Sequence, residues 1–489
     1  MFVSFFILRQ FHQKLTHYKL FMTKIKFGTD GRRAIIADTY TNANVARVAQ
    51  ATADWLKKYS DTPAVVVGYD CRFGGKMFSE VAAKVLCSNG VKVYLSPSYV
   101  STPMVSLGTV KLGANAGVVI TASHNPPAYN GYKLKADFGG PAVPASIKEV
   151  EDLLPDSAAI PSKSIAEYEA AGLILYVDLE QMYIDQVEAS FDLEGIKKAG
   201  LHIAYDAMYG AGQNVMRRLF PDATFLHCDY NPSFMGQAPE PIHKNLGEFS
   251  ELIKNNGTID LGLATDGDAD RIGLYDGNGE FVDSHRIILL LVHYLKQYKG
   301  LTGKVVTAFS VTEKVGELCE KYGLPHETTK IGFKYICEIM KESDENVMVG
   351  GEESGGIAVT GHVPERDGIW MGLLIMEFMA KTGKNINELL DEVYQHVGRF
   401  AYNRNDLHIT NELKAAIMAN CAAGTYKGFG KYAIERTSNI DGYRFFFSKN
   451  EWVMIRPSGT EPVLRVYAEA PTAEGVEDIL SDVRGVLLA

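Results

Sequence analysis

Ala116-Gly117-Val118-Val119-Ile120-Thr121-Ala122-Ser123-His124-Asn125-Pro126 is a short apolar run that breaks abruptly into a polar turn. Such a run reads as a strand buried on both faces. Pro126 and Pro127 then forbid continuation of the ladder, which leaves Ser123 exposed at a turn beyond the strand. Upstream, residues 64–69 (AVVVGY) and 91–95 give two more strands around a helical segment over 76–88. The same rhythm returns with strands at 202–205, 224–228 and 261–264 and a helix near 213–219. It returns again with strands at 304–309, 326–329 and 347–349 and a helix over 313–322. Alternation of this kind predicts α/β architecture, with a chemically interesting loop after the last strand of each unit. Because ligands bind beyond the carboxyl ends of strands in open α/β sheets, three such loops can converge on one cleft. Glycine, charge and helix cues place boundaries near residues 195, 300 and 400. From Ala401 the pattern changes to helices over 411–421 and 473–486 and strands around 432–434, 443–447, 452–456 and 463–468, a smaller α+β domain.

At 489 residues the chain is too long for one ordinary core, and roughly three or four domains are expected. Apolar content of 46% with 22% charged residues describes a globular protein, and a net charge of −10 argues against non-specific nucleic-acid binding. Six scattered cysteines without a CxxC pair point away from metal ribbons and disulfide frameworks and toward a reducing cytoplasm. No apolar run approaches the roughly eighteen residues of a membrane helix, and residues 287–292 and 368–376 read as buried helix. The apolar start lacks the charge and cleavage pattern of a signal peptide. Residues 1–21 are read as an extension outside the fold.

Three further loops carry chemistry. In Asp266-Gly267-Asp268-Ala269-Asp270-Arg271, a period of two in extended backbone puts three carboxylates on one side while the small residues let the loop curl. Their mutual repulsion calls for a hard cation, and Mg²⁺ takes carboxylates together with phosphate oxygen. An EF-hand reading fails, because Arg271 and Gly277 stand where it needs glycine and glutamate. A solvated acidic turn is the plain alternative. Gly351-Glu352-Glu353-Ser354-Gly355-Gly356 offers groups that bind hydroxyls. Arg456-Pro457-Ser458-Gly459-Thr460 supplies a guanidinium, two hydroxyls and amides freed by glycine, a nest for a phosphate dianion that Arg465 could support. Around Ser123 the G-x-S-x-G elbow is absent, and adjacent His124 gives little support to a catalytic triad.

Taken in this order, the four loops resemble those of the α-D-phosphohexomutases, the family of phosphoglucomutase and phosphomannomutase, over about residues 24–489. The resemblance implies four domains around a deep central cleft: a phosphoserine-bearing α/β domain over 22–195, a metal-binding one over 196–300, a sugar-recognition one over 301–400 and a C-terminal phosphate-binding α+β domain over 401–489. It implies that Ser123 carries the phosphoryl group, that His124 and Asn125 shape its loop, and that Lys133 manages proton transfer or developing charge. Phe27-Gly28-Thr29-Asp30-Gly31-Arg32-Arg33 matches the family's first loop and turns Arg33 toward the phosphoserine. An oxygen of phospho-Ser123 would complete the metal site with Asp266, Asp268 and Asp270. Arg271, Lys334, Glu352, Ser354, Arg366, Arg456, Ser458, Gly459 and Thr460 would bind substrate. His362, in a stretch resembling the H-x-x-E-[KR]-D-G of phosphoglucomutases, would contact the phosphosugar or assist proton transfer. Phosphoglucosamine mutases tend to place a histidine where this chain has Gly356. The implied activity is interconversion of glucose 1-phosphate and glucose 6-phosphate through glucose 1,6-bisphosphate with Mg²⁺, with a phosphomannomutase, a dual-specific enzyme or a non-catalytic sugar-phosphate sensor as alternatives. Small hexose phosphates are the expected partners, and the chain is expected to be a monomer or weak homodimer.

Overall fold

The computed structural model describes residues 24–28, 31–342, 346–458 and 462–489. The extension expected over residues 1–21 lies outside the described residues, as do Gly459 and Thr460 of the phosphate nest. Three mixed sheets repeat one plan. In the first, Ala64–Tyr69 lies parallel between Lys92–Leu95 and Ala116–Ile120, and Tyr129–Ala136 then returns antiparallel along Ala116–Ile120. In the second, Ile203–Asp206 is flanked in parallel by Thr224–Leu226 and Leu261–Thr265, and Ile272–Asp276 returns antiparallel. In the third, Lys304–Ala308 pairs in parallel with His326–Thr329 and Val347–Gly351, and Ile357–Val359 returns antiparallel. Each loop singled out in the sequence is therefore the bend of a hairpin rather than the start of a crossover helix.

The central parallel strands match the apolar runs because both of their faces are covered, whereas the parallel edge strands Thr224–Leu226 and His326–Thr329 are partly exposed. The return strands were not named from sequence, and Tyr129–Ala136 shows why: it carries Lys133 and Lys135, both buried. The last unit is an antiparallel five-stranded sheet, in the order Ala401–His408, Val463–Ala470, Glu451–Pro457, Tyr443–Ser448 and Arg436–Ser438. Helices Asn411–Ala422 and Ala473–Leu487 cover one of its faces, packing over Leu407, Phe445, Ile455, Leu464 and Val466. The tightly paired strand Ala401–His408 was also missed, since its polar sequence (AYNRNDLH) hides the period.

Both short apolar runs are buried helix, Ser284–His293 and Gly368–Thr382, and no helix among the described residues is long and apolar enough to cross a membrane. Gly368–Thr382 begins where the Asp367 carboxylate accepts from Trp370 N and ends at left-handed Gly383. It is apolar all round because it packs against the second and third units at once. A continuous apolar core runs from Val66 in the first unit through Leu261 and Leu263 to Val349 and Phe400. A buried ion pair crosses the same seam: Lys135 Nζ lies 2.6 Å from Glu365 Oε2, and Ser106 Oγ donates to the same oxygen at 3.2 Å. Lys135→Met strands the Glu365 charge and should cost about 3–5 kcal/mol in chemical denaturation. Adding Glu365→Leu should recover most of that loss, because two well-packed apolar residues need no partner.

Candidate active site

Residues more than a hundred positions apart meet at the bends of the first two sheets. Ser123 Oγ donates to Asp266 Oδ2 at 2.7 Å, and Lys133 Nζ donates to Asp268 Oδ2 at 2.7 Å and Asp270 Oδ2 at 2.9 Å. Ser123 adopts a left-handed backbone (φ 53°), as does Ala269 in the aspartate loop (φ 56°). Such a conformation costs a non-glycine residue about 1–3 kcal/mol and persists only where its surroundings enforce it. Gly267 must be glycine for close approach, because a Cβ there would lie 2.6 Å from the Ser123 carbonyl oxygen. Ser123 is not the exposed turn residue expected from sequence. It is 1% exposed, because the aspartate loop folds over it.

The three aspartates are fully buried, each offering an oxygen within 4.8 Å of the others. Asp266 Oδ1 is taken by the amides of Asp270 and Arg271, at 2.9 and 3.1 Å. Asp268 Oδ1 and Asp270 Oδ1 are buried and accept no hydrogen bond. Burial, then the charges of Asp268 and Asp270, pushes the Asp266 carboxyl well above the usual carboxylate range. Burial acts on Asp268 too, but Lys133 and Thr102 outweigh it and hold that carboxyl below the ordinary range. Two buried carboxylate oxygens of the trio thus stand unserved. This donor set fits a hard divalent cation such as Mg²⁺ and does not fit a solvated turn.

Positive charge collects on the other side of Ser123. Burial, then Arg271, Arg33, Lys133 and Arg72, holds the His124 imidazole well below its usual range, so it is neutral at pH 7. Arg33 Nη1 reaches Asn125 Oδ1 at 2.8 Å, whereas Arg32 turns away to the Thr39 carbonyl. His124 Nδ1 stands 3.3 Å from Ser123 Oγ.

The third hairpin is joined to the second through its backbone. Ile272 N donates to Gly355 O at 3.1 Å, Gly368 N donates to Ala269 O at 3.0 Å, and Arg271 bridges to Gly356. Arg366 spans both loops, with Nη2 2.8 Å from Asp270 Oδ2 and Nη1 4.0 Å from Glu352 Oε2. Its place is therefore beside the aspartate loop as well as the Glu352 loop. Burial pushes the Glu352 carboxyl up to about 7, with Arg366 pulling the other way. Gly332 N donates to Glu352 Oε1 at 2.9 Å. Ser354 is half-buried in the same bend, and Lys334 opens the helix Phe333–Glu342 just after Gly332, its ammonium 5.0 Å from the Tyr335 ring. Arg271 Nη1 is 3.4 Å from Glu240 Oε1.

The last unit connects through Asp441, whose Oδ2 accepts from Ile331 N at 3.0 Å and from Arg456 Nε at 3.2 Å. Arg456 lies directly opposite Arg465 on the neighbouring strand. Like charges so placed repel, which favours an anion between them. Ser458 is buried behind this pair, its amide bonded to Val463 O at 2.9 Å.

His362 is packed into the fold. Its side chain is 1% exposed, Nε2 is 3.0 Å from Asp367 Oδ2, and the ring stacks on Trp370 at 3.9 Å. Through Asp367, which caps Trp370 N, it steadies the start of helix Gly368–Thr382. The sequence could not show this, because a histidine stacked on an aromatic in the fold looks identical to one in a cleft. Two contributing residues went unnoticed: Thr102, whose amide and hydroxyl both bond Asp268, and Arg72, which grips the Ser123 loop. The Asp70-Cys71-Arg72 stretch at the end of strand Ala64–Tyr69 was a detectable signal, since charges beyond a buried strand seldom lack a task.

Four family models match the chain in order. They are the phosphoglucomutase/phosphomannomutase alpha/beta/alpha domain I over residues 24–159, domain II over 181–279, domain III over 283–397 and the C-terminal domain over 410–486. A phosphoglucomutase/phosphomannomutase of Thermococcus kodakarensis is 31% identical over 459 residues, covering 93% of this chain and 96% of that protein. A phosphoglucosamine mutase of Halalkalibacterium halodurans is 30% identical, covering 95% of this chain and 98% of that protein. A crystal structure of a Thermus thermophilus protein assigned as a phosphomannomutase superposes with a TM-score of 0.84 at 32% identity, over 96% of this chain and all of that one.

Proposed function

We propose, from the premise that this chain belongs to the phosphoglucomutase/phosphomannomutase family of phosphohexomutases, that it interconverts glucose 1-phosphate and glucose 6-phosphate through phospho-Ser123 and glucose 1,6-bisphosphate. The observation that carries this reading is the meeting of Ser123 Oγ with Asp266 beneath a Lys133 held by Asp268 and Asp270. A Mg²⁺ held by Asp266, Asp268 and Asp270 would supply Lewis-acid stabilisation of charge on the phosphoryl oxygens. In the forward step the sugar hydroxyl oxygen bonds to phosphorus as the Ser123 Oγ–P bond breaks, and the proton lost from the sugar hydroxyl ends on Oγ, so that Ser123 regains its hydroxyl. Lys133, clamped by two carboxylates, neutralises charge developing on Oγ. The bisphosphate then presents its other end, and Ser123 takes that phosphoryl back. Arg456 and Arg465 would hold whichever phosphate is not reacting, and Glu352 and Ser354 the hydroxyls between.

A second reading has its own support, since several relatives near 30% identity are phosphoglucosamine mutases. Against it, a Cβ at Gly356 would lie 2.5 Å from Arg366 Cδ, so a larger residue there would evict Arg366 from its present place. Turnover of glucose 1-phosphate, mannose 1-phosphate and glucosamine 1-phosphate, each coupled to detection of its 6-phosphate, tests these readings together. A preference above about tenfold in kcat/KM for glucosamine 1-phosphate replaces the glucose reading. Silence with all three replaces the mutase reading with a sensor.

The raised Glu352 pKa gives a pH prediction. Below about 7 the carboxyl is protonated and loses acceptor capacity for sugar hydroxyls, so KM should climb as pH falls through that value. Glu352→Gln should raise KM at pH 8 and flatten this limb. A variant profile parallel to the wild type would assign the limb to the substrate phosphate.

A further inference from the structure

The Arg72 guanidinium is buried and makes four hydrogen bonds to the loop that carries Ser123. Nη2 donates to the carbonyls of Ser123 at 2.5 Å and Asn125 at 2.6 Å, and Nη1 donates to those of Pro126 at 3.0 Å and Tyr129 at 3.1 Å. Its ion-pair partner Asp70 lies 3.3 Å from Nε and is equally buried. Asp70 also reaches the loop: it accepts from Thr121 Oγ1 at 2.6 Å, and Thr121 Oγ1 in turn accepts from Ser123 N at 2.8 Å. Ser123 is therefore held at its carbonyl by Arg72 and at its amide by the Asp70–Thr121 relay. Phe234, reaching over from the second unit, lies against the guanidinium at 5.0 Å and is itself in a left-handed conformation (φ 46°). Nothing in a fold-level account needs four carbonyls of one turn turned inward to a single side chain. Four inward carbonyls do fix the direction of each peptide plane: the Ser123 carbonyl held by Arg72 fixes ψ and the Ser123 amide held by Thr121 fixes φ, and together they keep the left-handed backbone from which Oγ reaches Asp266.

We infer that Arg72 is a positioning residue for phosphoryl transfer: by gathering these carbonyls it holds Ser123 in the strained conformation that carries Oγ to the metal-binding aspartates. This rests on Ser123 as the phosphoryl carrier. Arg72 touches neither phosphorus nor sugar. Its removal lets the turn relax toward unstrained backbone and moves Oγ by an ångström or so, a displacement that costs on the order of a hundredfold in rate. Because sugar and phosphate are gripped by other units, KM should stay nearly fixed. Lysine cannot replace arginine here, since one ammonium has three donors on a single point and the loop asks for a planar fork.

The test compares wild type, Arg72→Ala, Arg72→Lys and Ser123→Ala in the Mg²⁺-loaded full chain, with the phosphoserine fraction measured by mass spectrometry. The expected result is a kcat per phosphorylated enzyme reduced about a hundredfold in both Arg72 variants, with KM within about threefold of wild type. Guanidinium ion at millimolar concentration should restore part of the Arg72→Ala rate and none of the Ser123→Ala rate. Arg72 variants that turn over within about threefold of wild type overturn the inference, while an inactive Ser123→Ala leaves the carrier reading intact. An active Ser123→Ala sinks both. Loss that tracks a lowered melting temperature, with normal kcat in the folded fraction, assigns Arg72 to stability alone and also overturns the inference. Should Arg72→Ala not fold, the kcat-against-KM split in Arg72→Lys decides.

Discussion

Ser123→Ala should abolish hexose phosphate interconversion, lowering kcat by at least about 10⁴-fold while leaving the fold intact. The stability cost is expected to be small, because the hydroxyl makes two hydrogen bonds, to Asp266 at 2.7 Å and with His124 Nδ1 at 3.3 Å, each of net value about 1 kcal/mol. Activity and stability therefore separate in this variant, which most core substitutions do not allow. No other hydroxyl among the described residues is bonded to Asp266, so no neighbour can inherit the role. The check is a dehydrogenase-coupled assay beside circular dichroism and mass spectrometry for phosphoserine. A well-folded Ser123→Ala enzyme with more than about a tenth of wild-type turnover would remove Ser123 from the chemistry.

Asp266→Asn should be nearly as damaging, by on the order of 10³-fold, since several kcal/mol of cation assistance is at stake and each 1.4 kcal/mol is tenfold. Its stability effect has the opposite sign to that of an ordinary core change. The folded-state pKa of Asp266 is raised, so its contribution to stability is fully present below the unfolded pKa near 4 and is lost as pH rises through the folded value. At pH 7, without a cation, the ionised or reluctantly protonated Asp266 is a burden. Asparagine keeps the Oδ1 acceptor that serves the amides of Asp270 and Arg271 and discards that burden. The metal-free variant should thus be at least as stable as metal-free wild type at pH 7 and lose the pH slope. Wild type should gain melting temperature on adding Mg²⁺ and lose turnover reversibly on chelation, and Asp266→Asn should show neither change. Strong destabilisation of metal-free Asp266→Asn would mean the carboxylates serve only as partners for Lys133.

Much of this was legible in the chain, for identifiable reasons. Parallel strands buried on both sides leave unbroken apolar runs, so Ala64–Tyr69 and Ala116–Ile120 stand where the pattern put them. The aspartate triad was readable because alternation in extended backbone is a local property. What escaped depended on contacts remote in sequence. Tyr129–Ala136 is a central strand despite two lysines, since each lysine meets its carboxylates only after three units assemble. Ser123 was expected at the surface because nothing in its neighbourhood announces that Gly267 will lie across it. His362 was offered a role in the chemistry because its partner Trp370 becomes a stacking face only once the intervening turn has closed.

The distribution of apolar packing has a mechanical corollary. One continuous core binds the first three units, whereas the fourth keeps its own core and meets the third across a small apolar seam of Phe309, Phe446, Trp452, Met454 and Tyr467, ringed by polar contacts such as Ile331 N to Asp441, Tyr402 Oη to the Ser310 carbonyl and Lys314 Nζ to Asn450. Ser123, the aspartate trio and Glu352 therefore share one stiff chassis, and the least costly place for it to yield is the seam to the unit that carries Arg456. The cycle proposed above, in which a bisphosphate presents first one end and then the other, needs a door that swings without disturbing the bench where bonds are broken, and this chain hangs that door on a small apolar seam and a few polar contacts.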